Sequence, residues 1–180
     1  MPPPPPQRAV LLNGSVGSGK TSTASALGAA LEVAGVPGAV IDLDHLASGW
    51  PAPPGDPFRL AVMWENLAAV AAGYARHGMT SLVLAGVVET DAQRERLSEA
   101  LGLRPTLIRL TAPVAVLQER VRARSATEKE RDWYVARAPE LAAILDRAAL
   151  DDHVVSSDGR PRAAVVEEIL ALLGWVPHRS

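Results

Sequence analysis

The stretch NGSVGSGKT, residues 13–21, combines residue types and a spacing that predict phosphate chemistry. Gly14, Gly19, Lys20 and Thr21 fit the pattern G-x-x-x-x-G-K-[ST], between a short apolar run and an alanine-rich segment of helical period. In this pattern backbone N–H groups surround an anion at the positive end of a helix, the lysine reaches the terminal phosphates, and the hydroxyl ligates Mg²⁺. We therefore predict a nucleotide-binding P-loop formed by Gly14, Ser15, Val16, Gly17, Ser18, Gly19, Lys20, Thr21 and Ser22.

A pair of aspartates follows the second apolar run, which reads AVIDLDHL. Asp42 and Asp44 lie at a predicted strand end, on the sheet edge where open α/β folds bind ligands. One carboxylate could orient or deprotonate an acceptor hydroxyl while the other holds water on Mg²⁺. The competing interpretation is that one of them caps a helix starting near Leu46.

Arginines precede a charged segment in the stretch LQERVRARSATEKERD. Arg120 and Arg124 lie four residues apart on one predicted helix and could neutralise charge developing on a transferred phosphoryl group. The polar residues after Arg124 are typical of a mobile cover over phosphates. Alternating acids and bases, such as Arg131 beside Asp132, also fit an ordinary solvated face.

The positions of these groups depend on an α/β fold. Apolar runs near residues 8–12, 38–42, 80–86, 105–110 and 152–155 alternate with helical periodicity, which predicts five strands and about six helices. Helix starts are indicated by Asp56-Pro57, a capping box from Thr90 to Gln93, Pro113 and Pro161. We predict a proline-rich disordered tail over residues 1–7 and a single domain over residues 8–180, with a loop over residues 47–57.

Composition narrows the possible partners. The net charge is −2 and the pI near 6.1, which favours neither nucleic acid nor a membrane surface as a partner. The chain has no cysteine, which fits a reducing compartment, and no apolar run approaches the length of a membrane span. We expect a cytoplasmic protein, a monomer or homodimer, that acts on a small molecule.

The order of these features resembles the small P-loop kinases: a P-loop, Asp-x-Asp after the second strand, LxxRVxxR before a charged segment, and a terminal SSDG loop. This group includes shikimate, gluconate and adenylylsulfate kinases and chloramphenicol phosphotransferase. The resemblance implies a three-layer α/β/α fold, a parallel sheet in the order 2-3-1-4-5, a helical lid over about 125–137, and ATP and Mg²⁺ as cofactors. It also implies roles for matching residues. Asp44 would act at the acceptor hydroxyl, Asp42 would hold water on the metal, and Arg124 would be a lid arginine. Arg120 would lie beside adenine, and Ser156 to Arg160, with Asp158 and Gly159, would lie against the base.

The chain departs from that pattern at the third strand. The sequence SLVLAGVVET has no aspartate within the strand, so Mg²⁺ would rely on Thr21, phosphates, water and Asp42. Gly86 stands alone where shikimate kinases have a glycine-rich turn. Glu89 could substitute as a polar group, but a surface position before a helix is the favoured interpretation.

The acceptor is expected over Asp44, the loop at 47–57 and the next helix start. We assign Asp44, His45, Trp50, Arg59 and Gly86 to its site; Trp64 fits the buried stripe of a helix. A stretch with one Arg and no Lys suits a neutral or weakly charged hydroxylated molecule.

Three functions remain open from the sequence. The leading hypothesis is a kinase that moves the ATP γ-phosphoryl group to a hydroxyl of a metabolite or antibiotic. The alternatives are a kinase with a nucleotide or adenylylsulfate-type acceptor, and a slow NTPase switch or nucleotide-binding interaction module.

Overall fold

The protein is described here by a computed structural model covering residues 6–124 and 127–176. The strands are β1 (Arg8–Gly14), β2 (Gly38–Asp42), β3 (Ser81–Ala85), β4 (Thr106–Thr111) and β5 (His153–Ser156). The helices are α1 (Lys20–Val33), α2 (Leu43–Leu46), α3 (Leu60–Arg76), α4 (Asp91–Leu101), α5 (Val114–Arg124), α6 (Glu128–Ala148) and α7 (Arg162–Leu173).

All five strands form one parallel sheet in the order β2-β3-β1-β4-β5. The predicted strand positions, the fold class and the sheet order are therefore confirmed. Because parallel strands end at the same edge, the P-loop after β1 and the aspartates at the end of β2 lie along one carboxyl edge. This edge carries the functional residues described below.

The core has two halves, one on each face of the sheet. Along β1, Ala9 and Leu11 pack with α3 and α4 on one face, whereas Val10 and Leu12 pack with α1 and α7 on the other. Successive strand side chains point to opposite faces, so a strand covered by helices on both sides is apolar throughout. The result is the expected three-layer α/β/α arrangement.

Helix starts follow the local signals in the sequence. Thr90 accepts a hydrogen bond from the Gln93 backbone N–H at 3.2 Å, as the predicted capping box requires. Asp56 accepts hydrogen bonds from the backbone N–H groups of Leu60 and Ala61, which fixes the start of α3. The described residues contain seven helices against about six expected, and α2 is a single turn that begins at Leu43, directly after β2, rather than near Leu46.

The predicted tail and lid lie partly outside the described residues. Residues 1–5, at the start of the predicted tail, are outside them, whereas Pro6 is buried and the Gln7 N–H donates to the Thr80 carbonyl at 2.8 Å. Residues 125–126 of the predicted lid are also outside them. Residues 128–137 form the first half of α6, and their movement as a lid stays a prediction. Among the described helices, none is both long and apolar enough to cross a membrane.

Candidate active site

The P-loop joins the end of β1 to the start of α1. Gly17 has a φ of +85°, and a Cβ there would lie 2.5 Å from the Leu117 carbonyl oxygen of α5. Glycine is required at this position because both the left-handed backbone and the close approach of α5 exclude a side chain. The Lys20 ammonium donates hydrogen bonds to the carbonyls of Gly14 at 2.9 Å and Ser15 at 3.1 Å, inside the loop it is predicted to share with phosphate.

Lys20 is electrostatically coupled to the aspartates after β2. Burial lowers its pKa to about 8; the negative charges of Asp44 and Asp42 oppose this, and the positive charge of Arg124 adds to it. A desolvated ammonium is costly unless anions compensate it. The site therefore favours binding of a negatively charged group beside Lys20.

Asp42 is both a helix cap and a partner of the P-loop. One carboxylate oxygen accepts from the Thr21 hydroxyl at 2.8 Å, and the other accepts from the Asp44 backbone N–H at 3.0 Å, capping α2. The capping interpretation thus holds for Asp42, with α2 beginning at Leu43 rather than near Leu46. Asp44 lies within that helix, so the helical turn and not strand alternation sets its direction.

The pair Thr21 and Asp42 fits a magnesium ion. A hydroxyl and a carboxylate oxygen held together are hard donors, and Mg²⁺ commonly uses few protein ligands, with waters and substrate phosphates completing its shell. Among the described residues, no group of three or more His, Cys, Asp or Glu forms a metal cluster. The donor set therefore matches a metal bound together with phosphate.

Asp44 lines a cleft beside the P-loop. Burial of its carboxyl and the nearby charge of Asp42 raise its pKa, against the lowering effects of Lys20, His45 and Arg124. The cleft has a volume of about 450 Å³ and lies between α2, the start of α3, the segment after β3, and α6. It is lined by Leu43, Asp44, Ala47, Ser48, Phe58, Arg59, Leu60, Met63, Val87, Glu89, Gln93, Trp133, Tyr134, Arg137 and Leu141. We call it the acceptor cleft.

The predicted acceptor residues are only partly brought together. Asp44 and Arg59 line the acceptor cleft, whereas His45 does not, and Trp50 is 90% exposed away from it. Gly86 does not line the cleft but packs against Leu43, because a Cβ there would lie 2.5–2.9 Å from side-chain atoms of Leu43. Trp64 is half-buried against the core, as expected.

A second cavity of about 270 Å³ opens on the other side of the P-loop. Arg120 spans it: its guanidinium donates to the Ser157 hydroxyl at 3.0 Å and the Ser157 carbonyl at 2.9 Å, joining α5 to the loop after β5. Arg124, Ser22 and Arg160 also line this cavity, whereas Asp158 and Gly159 do not. Its position beyond the P-loop is the one that the resemblance assigns to the nucleotide base.

Sequence reasoning missed much of the cleft wall formed by α6. Trp133, Tyr134, Arg137 and Leu141 all line the acceptor cleft, and their spacing of one, four and eight residues along a helix could have indicated a shared face. Glu89 is not a free surface residue: its carboxylate pairs with the Arg137 guanidinium at 2.9 Å within the cleft.

The parallel sheet, the P-loop and the two flanking cavities define the fold of the small P-loop kinases. A family model described as an AAA domain matches residues 10–148, and the chain belongs to that family. No curated protein matches the chain significantly.

Solved structures with this fold include a resistance protein and two named kinases. The tunicamycin resistance protein of Deinococcus radiodurans superposes with a TM-score of 0.64 at 22% identity, covering 93% of this chain and 95% of that one. The CysC APS kinase of Mycobacterium tuberculosis, in complex with AMPPNP and APS, superposes with a TM-score of 0.63 at 23% identity, covering 95% of this chain and 99% of that one. A gluconokinase from Sinorhizobium meliloti 1021 superposes with a TM-score of 0.62 at 24% identity, covering 94% of this chain and 92% of that one. These likenesses bear out the resemblance at the level of the fold.

Proposed function

We propose that the protein is an ATP- and Mg²⁺-dependent phosphotransferase that moves the γ-phosphoryl group to a hydroxyl of a small molecule. The observation that carries the proposal is the position of Asp44. Its carboxyl lines the acceptor cleft and is electrostatically coupled to Lys20 of the P-loop. A carboxylate between a phosphate site and a separate cleft is the arrangement that transfer to a second substrate requires. The kinases that share this fold support the same reaction class.

The proposed reaction is an in-line displacement. The acceptor oxygen forms a bond to the γ-phosphorus, the bond from that phosphorus to the β–γ bridging oxygen breaks, ADP leaves, and the hydroxyl proton passes to the Asp44 carboxylate. Lys20 and the P-loop N–H groups would hold the phosphates, and Arg124, whose positive charge acts on Lys20, would offset developing negative charge. The raised pKa of Asp44 suits a group that must accept a proton.

Magnesium would be held by Thr21 and by Asp42, directly or through water. When bound, the ion neutralises phosphate charge and orients the transferred group. The protein's own contribution is the fixed hydroxyl–carboxylate pair at 2.8 Å, which the α2 cap keeps in place.

The test is the rate of ADP production from MgATP, with and without pooled hydroxylated metabolites and antibiotics, using Lys20→Ala as the blank. We expect at least one pool to raise the rate. Asp44→Asn is expected to lower kcat by about 10²- to 10⁴-fold while leaving ATP affinity largely unchanged, because the amide cannot accept the proton.

Asp91→Asn is the matched control, since this exposed aspartate lies in the first turn of α4, away from both cavities. It is expected to behave as the wild type. A slow ATPase rate that no pool changes, or full turnover by Asp44→Asn, would refute the proposal and favour the NTPase-switch alternative.

A further inference from the structure

The acceptor cleft is unusually aromatic for this chain. The sequence contains four Trp, two Tyr and one Phe, and three of these aromatic side chains, Phe58, Trp133 and Tyr134, line the one cleft. Phe58 is 62% exposed and Trp133 53% exposed, so both rings leave apolar surface in contact with solvent. Exposed apolar surface gathered in a concave site is typical of a ligand pocket.

These aromatic side chains come from two separate elements. Phe58 lies in the segment before α3, whereas Trp133 and Tyr134 lie in the first half of α6. The Trp133 and Tyr134 rings meet edge to face, with centroids 4.9 Å apart at 75°. This contact restrains the Trp133 ring, which suits it to receive a planar group.

The charges in the cleft are largely compensated. The Arg137 guanidinium pairs through Nη2 with Glu89 at 2.9 Å and through Nη1 with Glu140 at 3.0 Å, so both of its terminal nitrogens already contact a carboxylate. Arg59 forms no ion pair among the described residues, and its Nε is buried without a hydrogen-bond partner. Arg59 can therefore serve one anionic or hydrogen-bond-accepting group.

A multiply charged acceptor would be poorly matched. A phosphate or phosphosulfate normally takes several cationic donors, and here it would face Glu89 and Asp44 as well. Opening the Glu89–Arg137 pair to recruit Arg137 would leave a half-buried carboxylate unpaired, which is unfavourable.

From these observations we infer that the acceptor is an alcohol that bears a planar apolar ring and at most one charge. The inference rests on the proposed function, because phosphoryl transfer identifies the occupant of the cleft as the acceptor. The ring would contact Phe58 and Trp133, with its hydroxyl at Asp44 and its one polar group at Arg59.

The experiment measures binding separately from turnover. Dissociation constants are measured by saturation-transfer NMR in the presence of MgADP for five probes: 1-phenylethane-1,2-diol, 1-cyclohexylethane-1,2-diol, 3-phenyllactate, glycerate and glycerol 3-phosphate. The phenyl and cyclohexyl diols differ in planarity at nearly constant size. The phenyllactate and glycerate pair replaces the phenyl ring by a hydroxyl at constant charge.

We expect the two phenyl probes to bind about 3- to 10-fold more tightly than their counterparts without a planar ring. Trp133→Ala and Phe58→Ala are each expected to remove that preference. Trp50→Ala is the matched control, because this tryptophan is exposed away from the cleft, and it is expected to leave all five constants unchanged. Unaltered MgADP affinity in each variant shows that the fold is intact.

Tighter binding of glycerol 3-phosphate or glycerate than of the phenyl probes would overturn the inference, as would a phenyl preference that survives both cleft variants. Turnover then separates the two proposals. Ring-dependent binding without phosphorylation of any alcohol refutes the kinase function and supports the ring specificity of the cleft. Phosphorylation confined to aliphatic or multiply charged alcohols supports the kinase function and overturns the inference.

Discussion

Lys20 connects the electrostatics of the site to its pH dependence. Its ammonium is held by the carbonyls of Gly14 and Ser15, and burial keeps its pKa near 8 rather than at its ordinary value of 10.5. A neutral amine would lose most of its attraction for a terminal phosphate. Under the proposed function, the free protein therefore binds ATP mainly below the pKa of Lys20.

We predict that kcat/KM for ATP falls as the pH rises through about 8. This parameter reports the free protein, in which Lys20 loses its proton over that range. The value of kcat/KM for the acceptor is expected to fall at low pH, because Asp44 must be ionised to accept the proton. This acid limb is expected at a higher pH than for an ordinary aspartate, since the pKa of Asp44 is raised.

The control for the alkaline limb is Lys20→Arg, since a guanidinium stays protonated throughout the accessible range. Its activity is expected to be lower overall, without a fall near pH 8. Steady-state rates from the lowest pH at which the protein stays folded up to pH 9.5 measure both limbs. The assignment to Lys20 fails if the wild type shows no decline, or if Lys20→Arg keeps the same one.

The sequence was informative about single residues where chemistry restricts the residue type. Lys20 and Thr21 occupy a fixed spacing, and Asp42 is the last residue of a strand that had to end at the same edge. Glu89 could not be placed, because its partner Arg137 lies 48 residues further along the chain. Its role depends on a tertiary contact, which local patterns do not encode.

At the scale of elements, α6 connects the two halves of the site. Pro139 lies within this helix and has no N–H to donate to the Val135 carbonyl. That carbonyl instead accepts from the Gln118 side chain of α5 at 3.0 Å. One residue before the proline, the Ala138 carbonyl accepts from the Ser15 hydroxyl of the P-loop at 2.6 Å. This helix thus contacts both α5 and the P-loop, and Trp133 in its first half lines the cleft.

We predict that Gln118→Leu lowers the free energy of unfolding by about 1–3 kcal/mol, because the Val135 carbonyl loses its partner. In a Pro139→Ala background, the new N–H at position 139 can donate to Val135, so the same change is expected to cost less than half as much. Urea unfolding of the four proteins measures this coupling. Equal costs in the two backgrounds would show that the proline does not determine the role of Gln118.

Elements were predictable where periodicity and caps agreed. The strand runs, the Thr90 cap and the apolar stripe of α3 all correspond to observed structure. The start of the single turn α2 was predicted only roughly, near Leu46 rather than at Leu43, since four residues are too few for a periodic pattern. It forms because Asp42 caps it and Leu43 is buried against Gly86. The same turn sets where Asp44 lies, so the position of Asp44 in the cleft depends on packing and could not be predicted from local sequence.

At the scale of the whole molecule, Asn13 joins three distant segments beneath the P-loop. Its side-chain oxygen accepts from the N–H groups of Gly14 at 2.9 Å and Val88 at 3.2 Å. Its amide nitrogen donates to the Val88 carbonyl at 3.1 Å and to Asp151 at 2.9 Å. All four hydrogen-bonding positions of this fully buried side chain are used, fixing the P-loop against the segment after β3 and the connection from α6 to β5.

We predict that Asn13→Ala lowers the free energy of unfolding by about 3 kcal/mol or more at pH 7, because buried groups of Val88 and Asp151 lose their partners. Asn66→Ala is the matched control: Asn66 donates one exposed hydrogen bond to the Leu46 carbonyl, and its loss is expected to cost about 1 kcal/mol or less.

The pH dependence of the Asn13→Ala deficit identifies its cause. Burial raises the pKa of Asp151, while the hydrogen bond from Asn13 lowers it, so the substitution raises that pKa further. The difference in unfolding free energy between Asn13→Ala and the wild type is therefore largest above the raised pKa. It becomes smaller as the pH falls, since a protonated Asp151 carries no buried charge. Denaturant unfolding at a series of pH values, from pH 7 down to the lowest pH at which both proteins are folded, measures the change. A deficit that does not depend on pH would assign the cost to Val88 alone and exclude Asp151 from the network that fixes the P-loop.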